Sequence, residues 1–370
     1  MSAIKVRFGK SFHPDARTAV QELVAQTSEI KPDFLLFFCS PKYDLAALGQ
    51  AIEAAFECPA IGCTTAGEIL SGEGYIEGSI ICAAVASRRL AMRPFIIRDL
   101  RAFASEAKPM EAFSGLYRKH SFVLLLIDGL SMLEEAVIGR INQALNGLIP
   151  LIGASAGDGL DFRHTHVYYE GAFHENAAVM ALFETTLPFR PFHIQHFEPS
   201  ETRLVITAAE PSTRTVTEIN GLPAAEEYAS ALGLTVAELG PSVFAANPLM
   251  LRVSGDYYVR SIKKMHPDGS LMFSCAVDIG IVLATVKPSR GLVENLEKSL
   301  NELQKTMKPA LIFGSDCVLR RLELQRHGEL EEAKRVLSRY PFIGFSTYGE
   351  QYFGAHVNHS LTALALGDEA

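Results

Sequence analysis

The residues of this chain best suited to coordination chemistry are its 11 histidines, several of which come in close pairs: His164 with His166, His193 with His196, and His356 with His359. His193 and His196 lie in a stretch rich in Pro and Phe, from Pro188 to Pro199. Imidazole beside apolar surface is what an axial ligand of haem iron needs, so His196 and His356, with His193, are candidate ligands of haem b. The competing reading of any one of them is a histidine satisfied by backbone groups. His174 stands where His356 would fall in an earlier copy of the same pattern, so matching imidazoles facing one cleft are expected. Zinc would need further ligands; Glu350 is near in sequence, but no fixed motif specifies a metal site.

Acids form the second set. Glu68, Asp158 and Glu350 each close a turn of small hydroxyl-bearing residues and glycine: Thr64-Thr65 before Gly67, Ser155 before Gly157, and Ser346-Thr347 before Gly349. An acid repels phosphate, so a nucleotide cradle is disfavoured. These carboxylates either brace the turn or receive an amine. Cys317 follows a strand and precedes a helix, a place where a helix dipole favours thiolate, but no partner base is identifiable. Arg320 and Arg321 could clamp carboxylates, whether haem propionates or a small acid, or else form a solvated helix face.

The elements that must position these residues repeat. Pro59-Ala-Ile-Gly62 through Glu68 matches Pro341-Phe-Ile-Gly344 through Glu350 without a gap, and Pro150-Leu-Ile-Gly153 through Asp158 matches both with one residue deleted. Upstream of each copy an apolar run (Phe34 to Phe38, Phe122 to Ile127, Ala310 to Phe313) predicts a strand. Apolar positions spaced by three and four then predict a helix around Leu45 to Phe56, Leu133 to Leu145 and Leu330 to Leu337. Glu77-Gly78-Ser79, Glu170-Gly171-Ala172 and Phe353-Gly354-Ala355 precede an outgoing strand in each unit. The fold class is therefore α/β: repeated β-α-β-turn-β units forming mixed sheets covered by helices, in two domains. Residues 30–223 hold two units, residues 224–370 hold the third, and residues 1–29 are an N-terminal extension joining the first. Between the copies, Asn220-Gly221-Leu222-Pro223 closes a strand ahead of a helix from Ala224, Asp268-Gly269 turns a hairpin, and a helix runs from Leu292 to Met307.

With 370 residues, 48% hydrophobic and 21% charged, the chain is an ordinary globular one with ample core. A net charge of −8 without a basic block argues against nucleic acid as partner. No apolar run approaches the length of a membrane span and the N-terminus lacks a secretory pattern, so a cytoplasmic protein is expected. The 6 cysteines show no paired spacing, as buried reduced thiols would.

Taken together, Ile61-Gly-Cys-Thr-Thr-Ala-Gly-Glu68, Gly153-Ala-Ser-Ala-Gly-Asp158, Val216-Thr-Glu-Ile-Asn-Gly-Leu-Pro-Ala224 and Phe345-Ser-Thr-Tyr-Gly-Glu350 with its following His-Val-Asn-His resemble the two-part FIST sensory module of bacterial signal transduction. The two domains above then read as FIST N-like and FIST C-like. Arg203 to Thr207 and Ser315 to Arg321 resemble the stand-alone NosP branch, described as haem proteins that sense nitric oxide and control a histidine kinase. The resemblance implies a non-catalytic sensor whose ligand state a kinase reads, with a homodimer as one assembly open to it; it fixes no iron ligand. The alternative is a sensor of a small amino-acid-like metabolite, with Glu68, Asp158 or Glu350 on an amine and Arg320 or Arg321 on a carboxylate. A thiol enzyme using Cys317 is a third.

Overall fold

Apolar runs such as Phe34–Cys39 leave no polar face, so they are stable as strands only where both faces are covered. The computed structural model describes residues 3–105, 120–253, 255–287 and 291–368. Contacts divide the chain into one unit of Met1–Ile194, Val293–Ala355 and Leu361–Ala370, and another of Gln195–Leu292 and His356–Ser360.

The first repeat runs β1 (Lys5–Ser11), α1 (Ala16–Thr27), β2 (Phe34–Cys39), α2 (Leu45–Ala55), β3 (Ala60–Thr64), the hairpin β4 (Glu68–Leu70) and β5 (Gly74–Ile76), then β6 (Ile80–Ala86). Asp15 and Asp44 start the two helices by accepting from the Thr18 and Ala47 amides. The second repeat keeps the order: β7 (Leu90–Ile97), α3 (Leu100–Ser105), β8 (Ser121–Ile127), α4 (Glu134–Ala144), β9 (Leu151–Ser155), the hairpin β10 (Val167–Tyr169) and β11 (Ala172–His174), and β12 (Ala178–Thr185).

The third repeat opens with β13 (Phe189–Ile194), after which the chain builds the second unit. That unit holds β14 (Pro199–Glu210), β15 (Thr215–Ile219), β16 (Leu222–Pro223), α5 (Ala224–Ala231), α6 (Pro241–Ala246), β17 (Leu249–Val253), β18 (Asp256–Arg260), β19 (Ile262–Met265), β20 (Leu271–Phe273) and β21 (Val282–Val286). Its strands pair antiparallel in the order β18-β17-β21-β14-β15-β20-β19, around a core that includes Leu204, Ile219, Tyr228, Phe244 and Phe273. The third repeat resumes with α7 (Leu292–Thr306), β22 (Pro309–Cys317), α8 (Val318–His327), α9 (Leu330–Leu337), β23 (Phe342–Thr347), β24 (Glu350–Tyr352), β25 (Ala355–Val357) and β26 (Leu361–Gly367). Its crossover carries two helices, α8 directly after Cys317 and α9 over the expected Leu330–Leu337. The sequence division at 223/224 falls between β16 and α5, inside the second unit.

In the first unit the three repeats are equivalent. Each has one parallel pair: β2 with β3, β8 with β9, and β22 with β23. At each pair the proline carbonyl of the repeated motif accepts from the neighbouring strand: Pro59 from Leu35, Pro150 from Val123, Pro341 from Ile312. Gly62, Gly153 and Gly344 are glycines for a packing reason, since a Cβ on any of them would overlap the carbonyl of Phe37, Leu125 or Gly314 on the parallel partner. The β4–β5 hairpin pairs with β23, the β10–β11 hairpin with β3, and β24 with β9, so each repeat lends a strand to another in a closed ring. The resulting orders are β1-β6-β2-β3-β10-β11, β7-β12-β8-β9-β24-β25 and β13-β26-β22-β23-β4-β5. A shared core joins the sheets through Phe38, Ile61, Leu124, Ile152, Phe313 and Ile343, while helices cover outer faces, as α1 and α2 do on Leu35, Phe37 and Cys82.

One sequence correspondence is corrected here. Glu170-Gly171 and Phe353-Gly354 are hairpin turns with both residues at positive φ, whereas Glu77-Gly78-Ser79 lies one strand later, ahead of β6. Its counterparts are Glu175-Asn176-Ala177 and Asn358-His359-Ser360, where Gly78, Asn176 and His359 all have positive φ.

Candidate functional site

Parallel strands aim their carboxyl ends, with free backbone groups, at one edge of a sheet, where ligands of α/β proteins collect. At that edge of β2 and β3 lies a cavity of about 470 Å³. The repeated turn Thr65-Ala66-Gly67-Glu68 lines it, together with Ser40, Lys42, Glu77 and Gly78 from the first repeat and residues 158–161, 163, 164 and 166 from the second.

Glu68 is the unusual group. It is 1% exposed, accepts from Thr65 Oγ1 at 2.6 Å, and accepts at its other oxygen from Ser79 Oγ at 2.6 Å and Ser79 N at 3.2 Å. Burial pushes its carboxyl up to about 7, against these hydrogen bonds and the charge of Arg321. A carboxyl that changes charge near neutrality while lining a cavity is a candidate recognition group.

Asp158, the acid of the second copy, is differently placed. Strand register sets Glu68 opposite Phe345, Glu350 opposite Ala154 and Val167 opposite Cys63, so the counterpart of Glu68 and Glu350 is Val167. The expected match fails because the residues from Asp158 to His166 are an insertion that sequence alignment reads through. Asp158 braces this insertion: it accepts from the amides of Phe162 at 2.9 Å, Arg163 at 2.7 Å and His164 at 2.9 Å, and from the Tyr348 hydroxyl. Burial opposes its charge, but these bonds together hold its carboxyl below the usual range. Further along the insertion, His164 Nδ1 and His166 Nε2 stand 2.9 and 3.1 Å from one oxygen of Glu175.

The other expected residues lie apart from this cavity's lining. Glu350 is wholly buried. Cys317 is buried at the end of β22, directly before α8. Arg320 is wholly buried and its Nε donates to Asp316 at 2.6 Å. Arg321 reaches the first repeat, donating to the Ala66 carbonyl and pairing with Glu77; Gly67, at φ +125, leaves no space there for a Cβ. Lys42 and Arg163, the exposed cations of the cavity, carry no sequence signal, being single charged loop residues.

Among the histidines, His193 lies on β13 with its ring 5.5 Å from that of Tyr352, and burial pushes its imidazole down to about 4. In the second unit, the His196 ring lies 4.2 Å from Phe197 and 5.8 Å from His359, both centroid to centroid; His356 is buried on β25. Counting from the hairpin turns, His356 corresponds to Phe173 and His174 to Val357. The two imidazoles expected to match are one residue out of step, and on a strand that puts them on opposite faces.

None of the six cysteines is joined in a disulfide. Among the described residues no helix is long and apolar enough to cross a membrane. No curated protein matches the chain. Solved structures with some likeness include a cyanuric acid hydrolase from A. caulinodans, at 12% identity and TM-score 0.27 over 50% of this chain and 71% of that one. PurLQS from Thermotoga maritima is another, at 10% identity and TM-score 0.19 over 99% of this chain and 72% of that one; neither likeness bears on fold or function. The sequence matches the FIST N domain over residues 33–222 and the FIST C domain over residues 224–352, and the chain therefore belongs to the FIST family.

Proposed function

We propose that this protein is a non-catalytic sensor whose recognition site is the cavity at the ends of β2 and β3, and that it takes a small amino-acid-like metabolite. Glu68 would receive the ammonium group and Lys42 or Arg163 the carboxylate. FIST domains are associated with sensory signalling, which supports the sensor class. The observation that carries the ligand class is Glu68, a buried carboxyl held by neutral donors in a cavity whose rim offers two exposed cations. Asp158, by contrast, is saturated by its own loop, and Arg320 is committed to Asp316. Calorimetry with a panel of amino acids and simple amines tests the reading: binding that is lost in Glu68→Gln and weakened in Lys42→Ala or Arg163→Ala sustains it, and a panel without a binder refutes it.

A second reading is a cytoplasmic haem b protein that responds to nitric oxide and sets the output of a partner histidine kinase. The buried imidazoles of His196 and His356 support it. Haem would supply an iron that binds the gas, and His196 an imidazole to that iron. The propionate clamp fits less well, since Arg320 and Arg321 are already engaged by Asp316 and by Ala66 and Glu77. A Soret band that shifts with nitric oxide and is lost in His196→Ala would favour this reading; a protein that takes up no haem would remove it.

A further inference from the structure

The segment from His356 to Ser360 belongs to the second unit and is buried along its whole length. His359 is wholly buried and has φ +53, where the equivalent turns place Gly78 and Asn176. Glycine adopts this conformation freely, and histidine less so. Across from it, His196 is 8% exposed, and one ring nitrogen of each lies within 4.8 Å of the other. Beside these two, Asn358 is wholly buried, and neither end of its amide has a hydrogen-bond partner among the described residues. Gln195 donates to the Tyr257 carbonyl at 2.8 Å, which orients its amide, while its Oε1 has no partner among the described residues. Buried polar atoms of this kind normally meet water or an ion.

We propose that His196 and His359 bind a divalent transition metal ion, each flanked in sequence by an amide, Gln195 and Asn358, that can offer it an oxygen. Imidazole nitrogen suits zinc, nickel and copper, and amide oxygen completes rather than competes with such a site. Two nitrogens on one tetrahedral zinc stand about 3.3 Å apart, given bonds of about 2 Å, so a small side-chain rotation closes the pair. The rings of Phe197 and His359 already crowd His196. That crowding suits a small ion shared by two imidazoles better than a macrocycle, which needs an open plane above its ligand.

The test uses the full chain, loaded with Zn²⁺, desalted, and assayed for retained metal and for the metal-induced rise in Tm. Wild type is expected to keep about one zinc per chain and to lose it to a chelator together with the rise in Tm. His359→Gly matches its backbone conformation, as Gly78 does, while giving up the packing of a buried ring, so it is expected to fold with a lower Tm than wild type yet retain under about a tenth of the zinc and show no metal-induced rise in Tm. His196→Ala should behave alike. Wild type that keeps no zinc overturns the proposal, and so does a His359→Gly variant that keeps as much as wild type. Haem uptake that depends on both histidines while zinc is refused overturns it in favour of the macrocycle.

Discussion

Replacing Glu68 with Gln removes one titration and leaves nearly the same shape. In the folded protein the carboxyl protonates near about 7, against 4.5 for an ordinary glutamate. Holding the charged form there costs about 3 kcal/mol. Because the folded value is raised, the stability contributed by the neutral carboxyl is complete below the ordinary glutamate range and is lost as pH rises through about 7. Between about pH 5.5 and about pH 8 linkage gives a loss of about 2 kcal/mol from this one group. Glutamine has no such loss, and the hydroxyls of Thr65 and Ser79 can rotate to accept from its amide.

The assay is urea unfolding of wild type and Glu68→Gln at several pH values across that interval, read as the difference between the two proteins so that other titrations cancel. Expected is a variant that gains on wild type by about 2 kcal/mol from the acid end to the alkaline end. A difference that stays flat means that Glu68 is ionised throughout, so its three hydrogen bonds and Arg321 outweigh burial. That result would refute the reasoning that makes this carboxyl a proton-linked recognition group.

Asp158→Asn should lower Tm at neutral pH, where the depressed carboxyl is charged and bonded by its loop. The gap should close as pH falls through and below the usual carboxylate range, because a lowered folded pKa contributes stability only above it. Arg320→Ala leaves the buried Asp316 charge without its guanidinium and is expected to cost about 3–5 kcal/mol in urea unfolding; Arg320→Met with Asp316→Leu should recover most of that. Gly344→Ala sets a methyl on the Gly314 carbonyl and should cost about 3 kcal/mol or more, or prevent soluble expression. A thiol reagent on the native protein should find at most one fast site, Cys58, with the five buried cysteines reacting only on unfolding.

The frame was legible in the sequence because it depends on residues with few substitutes. Proline before each inner strand and glycine against its parallel partner mark the three turns, and the apolar runs give β2, β8 and β22. Two features escaped for a common reason, which is insertion. The residues of the second unit interrupt the third repeat between β13 and α7, so the strand and helix that correspond to β1 and α1 stand far apart in the chain. The shorter insertion after Asp158 gave that acid an apparent match to Glu68 and Glu350 that register assigns to Val167. Lys42 and Arg163 escaped because an exposed charge in a loop looks the same whether or not a cavity lies behind it.

The three repeats also separate what holds the fold from what could carry function. Where the copies agree, at Pro59, Pro150 and Pro341 and at Gly62, Gly153 and Gly344, a backbone contact explains the residue completely. Where they differ, the same backbone position holds unlike chemistry: Ser40, Asp128 and Cys317 at the carboxyl end of the first inner strand; Glu68, Val167 and Glu350 opposite the second; Gly78, Asn176 and His359 in the following turn. Asp128 shows how a site closes: its oxygens are taken by Leu130 N at 2.9 Å, Asn176 N at 2.6 Å and the Thr165 hydroxyl, so the second repeat fills the place that Ser40 leaves lining a cavity. A motif shared by all copies therefore marks the scaffold. Function is to be sought at the positions where a repeat departs from it, first at Glu68 with the inserted loop and then at His359.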